Sequence, residues 1–449
     1  MDYCSHQSLR IRKFTVRSAG AIRPLAPVLP PQDAPAGRPI ATKKDAMTKR
    51  LLIIGAGFAG TDAALSAARQ RELKGASDDE FEIAVLAPQP ALTIRPRLYE
   101  PEPQTLQADL KPLFDAVGVT YIQGEATGID AVKKSVAFSS DKGRNGAVQY
   151  DCLVIATGSS LFRPPVPGLS EYAHSVDSLP EAVALDRHLK SLAAMPNSPK
   201  RNTVVVGGGG FTGIEVATEM PSRLRAIFGD GVALRVVLVE RSDLIAPDMG
   251  DESRPYILKA LNDLQIETIT GAAIASIDPN GATLSTGQRL EAATVVWSAG
   301  MRANPLTMQI AAERDNFGRL IVDRNLAVPG VASIYAAGDA AKASSDDAGN
   351  YALMSCQHAK RLGAFAGNNA AAGILGAEPE PYHQRVYVTC LDLGEAGALF
   401  TRGWDRKVEL TGANAKALKK EINTVWIYPP EADKAAALQY AKPSSVVDL

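Results

Sequence analysis

The sequence predicts an α/β protein with two Rossmann-like dinucleotide-binding domains and a small C-terminal α+β segment. One strand, glycine turn and helix pattern occurs twice in the same register, and 449 residues are enough for two or three domains, each with its own core. Composition agrees: 46% hydrophobic residues, 22% charged residues and a net charge of -1 describe an ordinary globular chain. No basic excess asks for nucleic acid, so none is expected as a partner.

Residues 1–46 precede the pattern. They are rich in Pro, Ala and Arg and show no sustained period. They read as a disordered leader or as a start placed too far upstream, because Met47-Thr48-Lys49-Arg50-Leu51 is itself a natural beginning for a first strand.

Residues 51–54 form a short apolar run of strand type, followed by Gly55-Ala56-Gly57-Phe58-Ala59-Gly60 and an alanine-rich helical stretch, 61–69. Such glycines permit a tight turn and close approach to a pyrophosphate, which then sits on free backbone N–H groups at the positive end of the helix. The pattern returns at 203–206, with Gly208-Gly209-Gly210-Phe211-Thr212-Gly213 and a helix over 214–220. Two such sites imply two nucleotides.

Each unit closes on a further strand, at 82–86 and 235–239. The position that faces the adenosine ribose then falls at residues 87 and 240, in both copies 27 after the last glycine. Glu240 can accept a ribose hydroxyl proton and would repel a 2′-phosphate, which favours NAD(H), although Arg241 beside it could serve such a phosphate. Ala87 offers no carboxylate, so the first ribose must be held in another way.

At this point the residues resemble the two-dinucleotide-binding-domain flavoproteins. The likeness is greatest to type II NADH:quinone dehydrogenases, with ferredoxin reductases and apoptosis-inducing-factor-like proteins as relatives. It rests on four landmarks in order: the first glycine turn, the run from Tyr150 to Ala156-Thr157-Gly158, the second glycine turn, and Ile334-Tyr335-Ala336-Ala337-Gly338-Asp339. The resemblance implies that FAD occupies the first site and NADH, as substrate, the second. It also implies that Thr157 and Gly158 lie at the domain crossing, that Gly338 and Asp339 close the FAD site on the ribitol, and that Arg95 and Ala126 contact cofactor. The run Trp297-Ser298-Ala299-Gly300-Met301-Arg302-Ala303-Asn304 matches a stretch of similar dehydrogenases, and Gly300 is carried over as a flavin neighbour.

The domain order expected from the resemblance is nested. Residues 47–165 and 299–376 form the FAD-binding domain, 166–298 an inserted NADH-binding domain, and 377–449 a C-terminal interface or membrane-proximal segment.

Hydride transfer asks little of the protein beyond stacking two rings, so catalytic residues should be few. Glu215 is the first candidate, since the resembling family places a glutamate near the nicotinamide. Glu219 lies one turn on, and two like charges at that spacing repel. Residues 354–361, Met-Ser-Cys-Gln-His-Ala-Lys-Arg, open a helix whose N-terminus points at the flavin in similar enzymes. Quinone-reducing relatives carry Ala-Gln there with a second Gln four residues later. This chain keeps Gln357 but has Cys356 before it and Arg361 in the later place. His358 is a further candidate, as a proton donor beside the flavin.

Cys4, Cys152, Cys356 and Cys390 make no C-x-x-C pair, so neither a redox dithiol nor a metal cluster is indicated. No apolar run is long enough to span a membrane. In the tail, Leu418, Ile422, Val425 and Trp426 form one helical face and lysines another, ending at Pro429-Pro430. That helix either docks on its own protein or a partner subunit, or rests on an anionic bilayer. The expected function is transfer of electrons from NADH through FAD to a quinone-like acceptor. A ferredoxin- or rubredoxin-type reductase and a redox sensor of apoptosis-inducing-factor type are the alternatives. A cytoplasmic location is expected, with peripheral contact at the inner face of the membrane and a homodimer left open.

Overall fold

The computed structural model describes residues 48–443 except 141, 142 and 144; the expected leader lies outside the described residues. Strand β1 (Lys49–Ile54) runs into helix α1 (Phe58–Lys74), which crosses to β2 (Phe81–Ala87). Adding β3 (Thr120–Gln123) and β4 (Cys152–Ile155) leaves one place in this sheet, which a later strand fills. Helix α2 (Leu179–Ser191) leads to the second unit: β5 (Thr203–Gly207), α3 (Phe211–Phe228), β6 (Arg235–Val239), β7 (Ile266–Ile269) and β8 (Thr294–Trp297). The chain then returns as β9 (Ile334–Ala336), which pairs in parallel with β4.

The first sheet has the order β9-β4-β1-β2-β3 and the second β7-β6-β5-β8, with parallel pairings throughout. Leu51 sits opposite Ile83 on one side and Cys152 on the other, and Leu51, Ile53 and Ile83 are fully buried. Continuous apolar strands of this kind are what a parallel sheet covered on both faces requires. In each sheet the strand order reverses at the strand that feeds the glycine turn, which opens a crevice at its carboxyl end.

Both helices after the glycine turns begin earlier than the sequence reading has them, at Phe58 and Phe211, because Gly57 and Gly210 are themselves the caps. Helix α3 also continues through Pro221 to Phe228, since the buried Leu224 ties its last turns to the core.

Helix α4 (Cys356–Leu375) is capped by Ser355, whose hydroxyl accepts from the His358 N–H. It packs against α1 with no side chains between the backbones. A Cβ on Gly363 would stand 2.2 Å from the Ala59 carbonyl oxygen, and one on Gly367 2.0 Å from that of Ala63. The partners advance by four residues on both helices, so α1 and α4 run parallel with their N-termini side by side. The C-terminal segment follows as an antiparallel sheet of β10 (Val388–Asp392), β11 (Ala398–Arg402) and β12 (Lys407–Thr411), then α5 (Gly412–Glu421) and α6 (Lys434–Tyr440).

A Gly367→Val substitution is expected to push α4 off α1 and to lower stability by about 3 kcal/mol, as overpacking against backbone does. Chemical denaturation measures it, and an unchanged midpoint would mean that the two backbones are not in contact.

Candidate functional site

The two glycine turns have the same geometry. A Cβ on Gly60 would fall 1.9 Å from the Gly55 oxygen, and one on Gly213 1.8 Å from the Gly208 oxygen, so each third glycine lets the helix close on its own turn. In front of Gly57 and Gly210 there is open space, and neither cap carries a side-chain hydrogen bond. The bare helix ends therefore face free volume, as an approaching pyrophosphate requires.

Around the first turn, Asp339 accepts from the Ser159 hydroxyl at 2.6 Å, and burial raises its carboxyl above the usual range. The Thr157 hydroxyl, at the carboxyl end of β4, is buried with no hydrogen-bond partner. An orphan donor, an open helix end and a carboxylate in one crevice fit FAD. Arg95 spends its guanidinium on the Asp177 carboxylate at 2.5 Å and on Ser159, with Asp339 at 3.9 Å. It fastens the first domain to the segment entering α2 at the rim of this crevice. Ala126 lies on an edge strand, Glu125–Asp130. Ala59 is in contact with α4, and Phe58 is buried at the head of α1. The Ala87 carbonyl accepts from the Tyr121 hydroxyl at 2.8 Å, and no carboxylate stands at this position.

In the second unit the Glu240 carboxylate accepts from the Gly209 N–H and the Ser242 N–H, both at 2.7 Å. It is thereby fixed beside the glycine turn at the end of β6. Phe211 and Thr212 open α3, and Gly300, at φ +82°, sits against Phe162.

Glu215 has a setting the sequence did not foretell. It is 4% exposed, and its Oε1 accepts from the Lys419 ammonium of α5 at 2.7 Å and from the Asp392 N–H at 3.1 Å. Lys419 also donates to the Cys390 carbonyl at 2.9 Å and lies over the Phe211 ring. Asp392 in turn takes the Lys416 ammonium and the Tyr99 hydroxyl. Burial pushes the Glu215 carboxyl up to about 7 against the pull of Lys419, and burial with Asp392 nearby does the same to Glu219. The repulsion expected between these two glutamates is thus met by lysines from the far end of the chain and by proton uptake.

Those lysines correct one reading of the tail. Lys419 is buried on Glu215 and Lys416 pairs with Asp392, which takes two lysines out of the face read as basic, while Lys420 stays exposed. Leu418 and Ile422 pack on the C-terminal sheet, and the helix breaks into a wider turn over Ile422–Trp426. Val425, 62% exposed, stays outside.

At the head of α4, Gln357 is half buried and its Oε1 accepts from the Val388 N–H at 3.5 Å. His358 does not serve as the proton donor. It is fully buried, pairs with the Ser355 hydroxyl, and stacks near Tyr387 and Trp404. Burial and the cations Arg319 and Arg406 lower its pKa to about 3, so its ring is neutral near pH 7. Arg361, where quinone-reducing relatives carry the second Gln, is buried and donates to the His383 carbonyl at 2.9 Å.

Sequence reasoning missed Lys419, Asp392 and Tyr99. Lys419 stands 204 residues from Glu215, and no local pattern links them.

The sequence pattern of the pyridine nucleotide-disulphide oxidoreductases matches residues 49–363. An NADH dehydrogenase-like protein of Mycobacterium tuberculosis is 44% identical over 397 residues, 88% of this chain and 98% of that one. A type II NADH:quinone oxidoreductase of Staphylococcus haemolyticus is 29% identical over 65% of this chain and 74% of its own. Among solved structures, NDH2 of Plasmodium falciparum, in complex with NADH, aligns with a TM-score of 0.70 at 15% identity over 88% of this chain and 97% of that one, which shows the same fold.

A raised carboxyl makes stability fall as pH rises. Between pH 4.5 and about 7 the unfolded chain has released the Glu215 proton while the folded chain still holds it. Glu215→Gln should therefore flatten the decline in urea stability from pH 5 to pH 8; equal slopes would mean that Glu215 is charged throughout. Lys419→Met should cost about 3 kcal/mol at pH 8, because it strands a buried charge, and less at pH 5.

Proposed function

The chain belongs to the pyridine nucleotide-disulphide oxidoreductase family, and from that premise we propose that it oxidises NADH through bound FAD and delivers the electrons to a quinone. The structural observation that carries the donor half is Glu240, held by two backbone N–H groups beside the second glycine turn. A fixed carboxylate there suits a ribose with both hydroxyls free and opposes a 2′-phosphate. The acceptor half rests on relatives whose names include type II NADH:quinone oxidoreductase and demethylphylloquinone reductase.

Bound in the first crevice, FAD supplies the redox chemistry, accepting hydride and passing on two electrons. The protein contributes placement and proton control. The open ends of α1 and α3 would take the two pyrophosphates, Asp339 and Thr157 would lie on the ribitol side of FAD, and the N-terminus of α4 would face the flavin. Glu215 holds a proton on its carboxyl near neutral pH, at the start of the helix that carries NADH, and a quinone takes up protons with its electrons. Gln357, at the head of α4, is the side chain we assign to acceptor contact.

A lipid-soluble acceptor calls for peripheral contact with a membrane, and we place the chain at the inner face of one. No helix among the described residues is long and apolar enough to cross it.

Anaerobic NADH should bleach the yellow purified protein. Turnover should then be faster with a water-soluble ubiquinone analogue than with a ferredoxin or rubredoxin. A preference for the iron-sulfur protein would overturn the acceptor, and a colourless protein the whole reading. Glu240→Ala should lower the ratio of kcat/KM for NADH over NADPH by about tenfold or more, the scale of one lost charged hydrogen bond; an unmoved ratio would remove Glu240 from the site.

A further inference from the structure

Tyr99 enters the cluster around Glu215 from the first unit, and both of its polar ends are held. Its carbonyl accepts from Arg223 of α3 at 2.9 Å, and Arg223 is itself buried and paired with Asp186 of α2 at 2.7 Å. Its hydroxyl donates to Asp392 Oδ2 at 3.1 Å. The residue is 3% exposed, and burial pushes the hydroxyl well above its usual range, so it stays a donor throughout neutral pH.

Asp392 ends β10 and stands between Tyr99 and Glu215. Its Oδ1 accepts from the Gly394 N–H at 2.8 Å and from the Lys416 ammonium, and Tyr99 supplies the partner of the other oxygen. Its own N–H donates to Glu215 Oε1 at 3.1 Å, the same oxygen that takes Lys419 at 2.7 Å. Hydrogen bonds therefore lead from Tyr99 through Asp392 to Glu215. The charged and titratable groups around the two glutamates are Glu219 and Arg223 on α3, Cys390 and Asp392 on β10, Lys416 and Lys419 on α5, and Tyr99 with Glu100 from the first unit. A buried carboxylate keeps its charge and its place only while its hydrogen bonds are complete. Without the Tyr99 donor, a barer Asp392 charge and a looser N–H would both favour the protonated form of Glu215.

We propose that Tyr99 is a positioning residue for Glu215: by holding Asp392 it fixes the N–H that grips the Glu215 carboxyl, so that the first unit sets how tightly Glu215 keeps its proton. The proposal rests on the reading of Glu215 as the group that holds a proton for the acceptor. Tyr99 acts through Asp392, and its hydroxyl is 3.1 Å from that carboxylate.

The test is an infrared titration of the purified full-length flavoprotein, following the protonated-carboxyl band that Glu215→Gln abolishes. That band reads the group itself rather than turnover. In Tyr99→Phe, which keeps the buried ring, its midpoint should move up by about half a pH unit, the worth of one modest hydrogen bond. Asp392→Asn, which keeps the N–H and removes the charge, should move it down. Tyr428→Phe, which removes a hydroxyl beside Arg97 and not on Asp392, should leave it in place. The alkaline limb of turnover with a water-soluble ubiquinone analogue should follow the band in each variant, a shift that general loosening of the fold does not produce. An unmoved midpoint in Tyr99→Phe, or an equal movement in Tyr428→Phe, overturns the positioning role. A band that moves as stated while the turnover limb stays put overturns the use of Glu215 in the reaction, which is a separate outcome. If Glu215→Gln removes no band, Glu215 is ionised throughout and both readings fall.

Discussion

The arrangement depends on one contact, the backbone-to-backbone approach of α1 and α4 at Ala59 against Gly363 and Ala63 against Gly367. No side chain separates the two helices there, so a Cβ at either glycine would collide with the backbone of α1. Parallel helices with adjacent N-termini place two partial positive ends together, which is unfavourable for the protein alone. An anionic pyrophosphate bound in front of α1 would turn that cost into binding. The first sheet, built from strands on both sides of the inserted unit, is what brings residues 58 and 356 to the same edge.

A second constraint is electrostatic. Glu215, Glu219 and Asp392 are gathered where α3, β10 and α5 meet, and Lys416 and Lys419 answer them from α5. Tyr99 of the first unit donates to Asp392, while Arg223 of α3 donates to the Tyr99 carbonyl. The second unit, the C-terminal sheet and the first unit are therefore joined through one polar cluster as well as through a shared apolar core. Burial in this cluster raises the Glu215 and Glu219 carboxyls to about 7, and a group poised there can exchange a proton at little cost.

Much of this was legible in the chain itself. The glycine turns at 55–60 and 208–213, the strands that feed them and the position of Glu240 beside the second turn are local patterns, because turns, helix ends and buried parallel strands are specified by neighbouring residues. His358 was misread for the opposite reason. A histidine in the first turn of a flavin-facing helix looks like a proton donor until Tyr387, Trp404, Arg319 and Arg406 arrive from other elements to bury it and hold it neutral. The tail was half legible: Leu418 and Ile422 pack on the C-terminal sheet as an apolar face, but Val425 stays outside and Lys419 turns inward to Glu215.

The sequence by itself determined the fold class and the two glycine turns, since each turn and the strand that feeds it are carried by neighbouring residues. Only the tertiary structure decided which charges are buried together, because a pairing such as Glu215 with Lys419 spans 204 residues and leaves no periodic trace. It also decided where the tail goes, for Tyr428 meets Arg97 and Lys434 meets Glu72 only after the first unit has folded. Local patterns follow from backbone preference; long-range electrostatic pairing follows from burial, and burial exists only in the folded chain.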